Sequence, residues 1–295
     1  MENIINYFYN LFPETIKNSF GGFLFQVEEK NYLLVEIVSE KEIANVYQLL
    51  MQNKIGNYIL VNNKDKKVIS EYEDKKYLLF YIRCNFNETI MFNETLNINT
   101  SGNNIWSKIW GDRIDYYEIQ INELGQDKHI VLSSIYYYIG LAENAIAIAD
   151  KFETQLDQND YSIQHYRMNV PVLKGDYYNP NNMLVDISIR DIAEYIKSSF
   201  FSNMKDQDFY LDYIFSLNLD NKKANLLLAR LLYPSYYFDI FDEVILNERD
   251  EHDLIEIIKE NERFEYFIKR IYFELSKRFQ MVNIDWIKKG ATAPH

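Results

Sequence analysis

The sequence predicts an α+β protein, a small lobe built on an antiparallel sheet followed by a large, mainly helical lobe. Three observations predict it. From Gly21 to Ile82 the apolar residues come in short alternating runs divided by polar turns. Beyond residue 105 they recur at helical spacing. No internal repeat or low-complexity tract interrupts either part. At 295 residues, with 47% hydrophobic and 25% charged residues, the chain has material for a large core.

In order, the pattern predicts an amphipathic helix over 3–18, and then Gly21-Gly22 opens strands at 23–27, 32–38, 57–61, 67–71 and 76–82. A helix over 40–53 stands between the second and third strands. The polar stretch 84–105, rich in Asn and Thr, reads as a linker or crossing loop, which divides a small α+β lobe, 1–83, from a mainly helical lobe, 106–295. Trp106 and Trp110 open a helix carrying Ile114, Tyr117 and Ile121, and 129–150 carries the clearest stripe, with Ile135, Tyr138, Ala142 and Ala149 on one side. After a central region of turns and a short strand over 185–189, helices are predicted at 192–200, 206–216, 221–233, 235–246, 251–260 and 262–279. Pro234 falls between two of them, where a residue with fixed φ and no N–H belongs. Asp191 and Glu194 read as a capping box at the start of the first.

Composition excludes several function classes. The formal charge of -13, from 31 Lys plus Arg against 44 Asp plus Glu, repels nucleic-acid backbones and anionic membranes, so no nucleic-acid partner is expected. A single cysteine, Cys84, allows no intramolecular disulfide, and His129, His165, His252 and His295 lack metal-ligand spacing. No signal peptide is visible and no apolar run approaches the ~20 residues of a transmembrane segment, so cytoplasmic synthesis is expected. Nine Gly leave few backbone positions free to wrap phosphates, while 25 Tyr and 19 Phe suit core filling and partner contact.

The chemistry-bearing stretch is 174–197, KGDYYNPNNMLVDISIRDIAEYIK. Asp176 and Asn181, five residues apart, could aim a carboxylate at a substrate hydroxyl while the Asn oxygen helps hold a Mg²⁺ on phosphates. The same residues also make an Asx/Pro turn around Pro180. A second acidic ligand is needed, and Asp186, only ten residues beyond Asp176, is the one available. It reads either as a solvent-facing strand position or as a metal ligand.

Three strings, Gly140-Leu141-Ala142-Glu143-Asn144-Ala145, Arg190-Asp191-Ile192-Ala193-Glu194-Tyr195-Ile196 and Ala229-Arg230-Leu231-Leu232-Tyr233-Pro234-Ser235-Tyr236-Tyr237-Phe238-Asp239, carry a family resemblance. The chain resembles the spore coat and sporulation proteins of endospore-forming bacteria that have a two-lobed, aminoglycoside-phosphotransferase-like (protein-kinase-like) fold. The resemblance implies that fold, a role in the spore coat and partners among coat or other sporulation proteins. It does not carry activity over. Where active relatives have His-Gly-Asp, this chain has Lys174-Gly175-Asp176, and Asp186 comes at the wrong interval for the later metal-binding Asp. The strand that should present a phosphate-pairing cation instead presents Glu36, and Gly21-Gly22 lacks the spacing of a phosphate cradle.

The expectation is therefore a non-catalytic structural or assembly protein of the coat that uses no cofactor. Tyr233, Tyr236, Tyr237 and Phe238 read either as its exposed partner face or as plain packing between two helices. The alternative is an atypical small-molecule kinase or nucleotide-binding protein using ATP and Mg, with Asp176 as base and Asn181 and Asp186 as cofactor and metal ligands. A small-ligand binding module is a third reading.

Overall fold

The computed structural model describes residues 1–90, 96, 98–124, 127–202 and 207–289. Parts of the expected linker (91–95 and 97), the first residue of the helix expected at 206–216 and His295 lie outside the described residues. The chain forms α1 (Glu2–Tyr9), β1 (Ile16–Ser19), β2 (Gly22–Val27), β3 (Lys30–Ile37), α2 (Glu40–Gln52), β4 (Tyr58–Val61), β5 (Ile69–Tyr72) and β6 (Lys75–Ile82). There follow α3 (Trp106–Leu124), α4 (His129–Glu153), β7 (Tyr161–His165), the single turn α5 (Lys174–Tyr177), β8 (Met183–Ile187) and α6 (Arg190–Phe201). Helices α7 (Gln207–Ser216), α8 (Asn221–Leu232), α9 (Ser235–Ile245), α10 (Leu254–Lys259), α11 (Asn261–Ser276) and α12 (Asp285–Lys289) complete the described elements. Contacts group them into two compact units, one of residues 1–102 with 158–191, the other of 103–157 with 192–295. Residues 158–191 thus pack with the sheet, whereas the sequence partition joins them to the helical part.

In the first unit an antiparallel sheet runs β1-β2-β3-β6-β4, with β5 also paired to β6. The helix expected over 3–18 stops at Tyr9. Asn10 takes the left-handed C-cap conformation (φ 54°), with Pro13 shortly after, and 16–19 become a strand that pairs with β2 from Ile16↔Phe25 to Ser19↔Gly22. Non-glycine residues supply most of the left-handed turn positions: Phe20, Glu28, Glu29, Glu73 and Asp74 all have positive φ, and Gly21 is the only glycine that does among the described residues.

Both faces of the sheet are covered, which is why Leu33-Leu34-Val35 is apolar throughout rather than alternating. Leu33, Val35 and Ile37 join Phe80, Ile82, Tyr58 and Ile43 of α2 on one face. Leu34, Phe25, Tyr77 and Leu79 meet Ile4 and Ile5 of α1 on the other. The Ser39 hydroxyl caps α2 by accepting from the Glu42 N–H. That helix then uses Val46 and Leu50 to pack on Ile163 of β7 and Met183 of β8. The β7–β8 hairpin runs antiparallel from Tyr161↔Ile187 to His165↔Met183, so the strand expected at 185–189 is real but starts earlier and has a partner the sequence reading missed.

In the second unit α4 is the central helix, packed by α3 and α8, with Ala142, Ala145 and Ala149 fully buried where neighbours approach closely. By length and composition α4 is also apolar enough to cross a membrane, as a soluble core helix is. The exposed-face reading of the aromatic string is corrected here: Tyr233, Tyr237 and Phe238 are 4%, 0% and 1% exposed and Tyr236 is half-buried. Tyr233 stacks on Trp110 at 4.3 Å, Tyr237 on Tyr138 at 3.7 Å, and Phe238 packs on Tyr117 at 4.8 Å. Their rings fill the helical core.

Candidate functional site

Residues 166–182 leave the end of β7 and return to the start of β8, carrying α5 and a 3₁₀ turn over Pro180–Asn182. His165, at the end of β7 and fully buried, anchors this loop. Its backbone N–H donates to Asp191 Oδ1 at 2.7 Å, its Nδ1 lies 2.7 Å from Asp191 Oδ2 and its Nε2 lies 2.8 Å from the Tyr177 carbonyl. A carbonyl only accepts, so Nε2 carries a proton. The Asp191 oxygen beside Nδ1 favours a second proton on the ring, the imidazolium form. Burial by itself pushes the His165 pKa down, but the Asp191 carboxylate and the Tyr177 carbonyl outweigh it and the net direction is up.

Asp191 is therefore committed to His165, and its own N–H is accepted by Gln164 Oε1 at 2.8 Å. Glu194 binds Arg230 (2.8 Å) and Lys197 (2.9 Å). The capping box expected from Asp191 and Glu194 is replaced by a Gln164 cap and two buried ionic clusters.

Asp186 is 1% exposed, which corrects the solvent-facing alternative. Arg190 donates to it at 2.5 Å and also holds the carbonyls of His165 (2.8 Å) and Tyr166 (3.1 Å). Asp176 is half-buried, and its carboxylate makes no hydrogen bond or ion pair within the described residues. Burial raises its pKa, with His165 offsetting part of the rise. Asn181 lines a cavity of about 350 Å³ together with Ser39, Glu42, Tyr166 and Met183. The Asx/Pro turn describes the backbone here, with Asn179 as its cap: Asn179 Oδ1 accepts the Asn181 N–H at 3.0 Å.

The β1–β2 turn is seated on this loop. Asn179 Nδ2 donates to the Phe20 carbonyl at 2.7 Å, and Phe20 packs so closely on Gly175 that a Cβ there would lie 2.6 Å from its ring. On the other side the Tyr58 hydroxyl donates to the Gly175 carbonyl at 2.6 Å. Lys174, in the position expected for His, pairs with Glu88 at 2.6 Å. Gly21 serves the turn, and Gly22 lets β2 pass Leu34, whose carbonyl a Cβ would meet at 2.5 Å.

These residues do not fit a Mg²⁺ shared by Asn181 and Asp186. Asp186 lies three residues along β8 from Met183, about 10 Å at ~3.3 Å per residue, and its charge is balanced by Arg190. Among the described residues, no group of three His, Cys, Asp or Glu side chains could hold a metal ion. Glu36, expected where a phosphate-pairing cation would stand, has two sides to its placement. It pairs across from Tyr77 and binds Lys75 at 3.0 Å, so its strand position faces the α1 side, yet at the end of β3 it still lines the cavity that holds Asn181 and Glu42.

His165, Asn179 and Phe20 were missed in the sequence. His165 is far from its partners along the chain and carries no spacing signal; Asn179 was legible only as a turn residue. Two of the three resemblance strings, by contrast, map onto these buried networks. Arg190, Asp191 and Glu194 come from one, and Arg230, flanked by Trp106 at 5.3 Å and Trp110 at 5.5 Å, from another. Lys197 ties them further by donating to Ser235 Oγ at 2.8 Å.

Among solved structures, the chain is similar to an aminoglycoside phosphotransferase from Alicyclobacillus acidocaldarius, with a TM-score of 0.61 and 11% identity over 91% of this chain and 94% of that one. A spectinomycin phosphotransferase solved with ADP and spectinomycin matches with a TM-score of 0.51 and 11% identity, over 90% and 92%. The protein has the aminoglycoside-phosphotransferase-like kinase fold, as expected. The family model described as "Spore coat putative kinase YutH" matches residues 2–271, and the chain belongs to that family. The endospore coat-associated protein YutH of Bacillus subtilis (strain 168) is 25% identical over 315 aligned residues, covering 91% of this chain and 92% of that protein.

Proposed function

We propose that this protein is a non-catalytic member of its family, made in the cytoplasm and assembled into the endospore coat as a structural or assembly component. Its partners are then spore coat or other sporulation proteins. The observation that carries the reading is the seating of Phe20 on Gly175, fastened by Asn179, directly beside Asp176. Phosphoryl transfer depends on positioned charge and metal around the transferring group. Here a phenyl ring packs on Gly175, next to Asp176 in the chain, Asp186 is held by Arg190, and the cavity at Asn181 is lined by the carboxylates Glu36 and Glu42. The coat assignment is supported by the name of the Bacillus relative.

Calorimetric titration with ATP and Mg²⁺ tests the reading, beside Asp176→Asn. The expected result is no heat of binding and no nucleotide-induced thermal shift. Micromolar binding that Asp176→Asn abolishes would overturn it. The second reading, an atypical small-molecule kinase or nucleotide-binding protein using ATP and Mg, is favoured by one observation: the Asp176 carboxylate and the Asn181 side chain make no hydrogen bond within the described residues.

A further inference from the structure

We propose that a groove on the sheet-bearing unit, where the α1–β1 connection passes the β2–β3 turn, docks a basic, apolar-containing segment of a partner protein. Pairing of β1 with β2 ends at Ile16↔Phe25, so residues 14–15 diverge from 26–27 and open a cavity of about 580 Å³. Its walls include Phe12, Val27 and Tyr32, and its rim carries Glu14, Glu28 and Glu29; no Lys or Arg lines it. Phe12 is 66% exposed. Tyr32 is held in place by Phe25 at 5.5 Å and Tyr81 at 5.8 Å.

The three rim carboxylates make no ion pair or hydrogen bond with the described residues. Elsewhere on the same unit Glu36, Glu40 and Glu71 are neutralised by Lys75 and Lys76. Unpaired carboxylates lining one cavity with aromatic side chains suit a guanidinium or ammonium group, through charge-assisted hydrogen bonds and cation–π attraction. A second copy of this chain is disfavoured as the occupant, because its formal charge is also -13. A basic segment with alternating apolar side chains complements both wall and rim.

The inference rests on the assembly reading only in taking a protein as the partner. Nucleotide binding at the 174–182 loop would overturn that reading and leave the groove untouched. The test is fluorescence anisotropy of a fluorescein-labelled alternating Arg-Leu octapeptide, with its Glu-Leu counterpart as control. The full chain is compared with the triple variant Glu14→Gln, Glu28→Gln, Glu29→Gln, with Phe12→Ala, and with a control triple on exposed α3 positions, Asp115→Asn, Glu118→Gln, Glu123→Gln.

The Arg-Leu peptide should bind, and its Kd should rise at least ~10-fold in the groove triple and about 3-fold in Phe12→Ala, while staying level in the control triple. Equal weakening by both triples would mean diffuse attraction to an acidic chain and would overturn the proposal. Absence of Arg-Leu binding, or equal binding of the Glu-Leu peptide, would overturn it as well.

Discussion

Replacing Gly175 with alanine should destabilise the protein by about 1–3 kcal/mol, the usual cost of overfilling a packed site. The added Cβ would lie 2.6, 2.7 and 3.0 Å from three ring atoms of Phe20, where carbon atoms favour roughly 3.5–4.0 Å. Neither side yields easily. Phe20 is tied through its carbonyl to Asn179 and meets Phe86 edge-on at 5.7 Å, while the Gly175 carbonyl is held by Tyr58. In a Phe20→Ala background the obstruction is gone. Alanine then exceeds glycine in the α5 turn by about 0.5–1 kcal/mol, so the same substitution should stabilise. Urea unfolding of the four proteins closes a double-mutant cycle with an expected coupling of at least ~1.5 kcal/mol. An equal effect of Gly175→Ala in both backgrounds would refute the seating of the turn on the loop.

Three further predictions follow from the buried polar and aromatic groups. The His165 pKa is raised above its ordinary 6.5, so its contribution to stability is complete below about pH 6.5 and is lost as pH rises through the folded value. Urea midpoints should fall over that range and His165→Gln should flatten the decline; an unchanged slope would exclude the imidazolium. Asp186→Ala should cost about 3–5 kcal/mol, because it strands the buried Arg190, and a cost under about 1 kcal/mol in chemical unfolding would show the pair to be dispensable. Phe238→Ala should cost about 3–5 kcal/mol by thermal unfolding, and an unaltered stability would return that side chain to the surface.

The long helices were legible because each buries a stripe at its own period, as Ile135, Tyr138, Ala142 and Ala149 of α4 show, and the strands because short apolar runs stand between polar turns. β1 was not, because Ile16–Ser19 has little apolar pattern and is a strand only through its pairing with β2. The turn before β2 was half legible, since Gly21 advertises it but Phe20 adopts a positive φ that a sequence does not signal. At the candidate site, Asp176, Asn181 and Asp186 were found by spacing, whereas their surroundings were hidden. Whether a carboxylate is held by arginine or left unbonded depends on what strand pairing and packing bring near it. Arg190 stands only four residues from Asp186, yet the buried backbone carbonyls that fix its orientation belong to β7 and the residue after it. The tyrosine-rich string after Pro234 misled for a related reason: aromatic side chains suit interfaces and interiors alike, and helix packing decided for the interior.

The grouping of 158–191 with 1–102 bears on how the chain folds as it is made. At ~5–20 residues per second, on the order of ten seconds separates synthesis of Gly102 from synthesis of Asp191. During that interval Val46 and Leu50 of α2 lack Ile163 and Met183, and the Tyr58 hydroxyl lacks the Gly175 carbonyl. Helix α2 therefore emerges from the ribosome well before the strands that cover its outer face, with an apolar flank open to chaperones or to premature association. That covering waits for a hairpin encoded on the far side of two long helices.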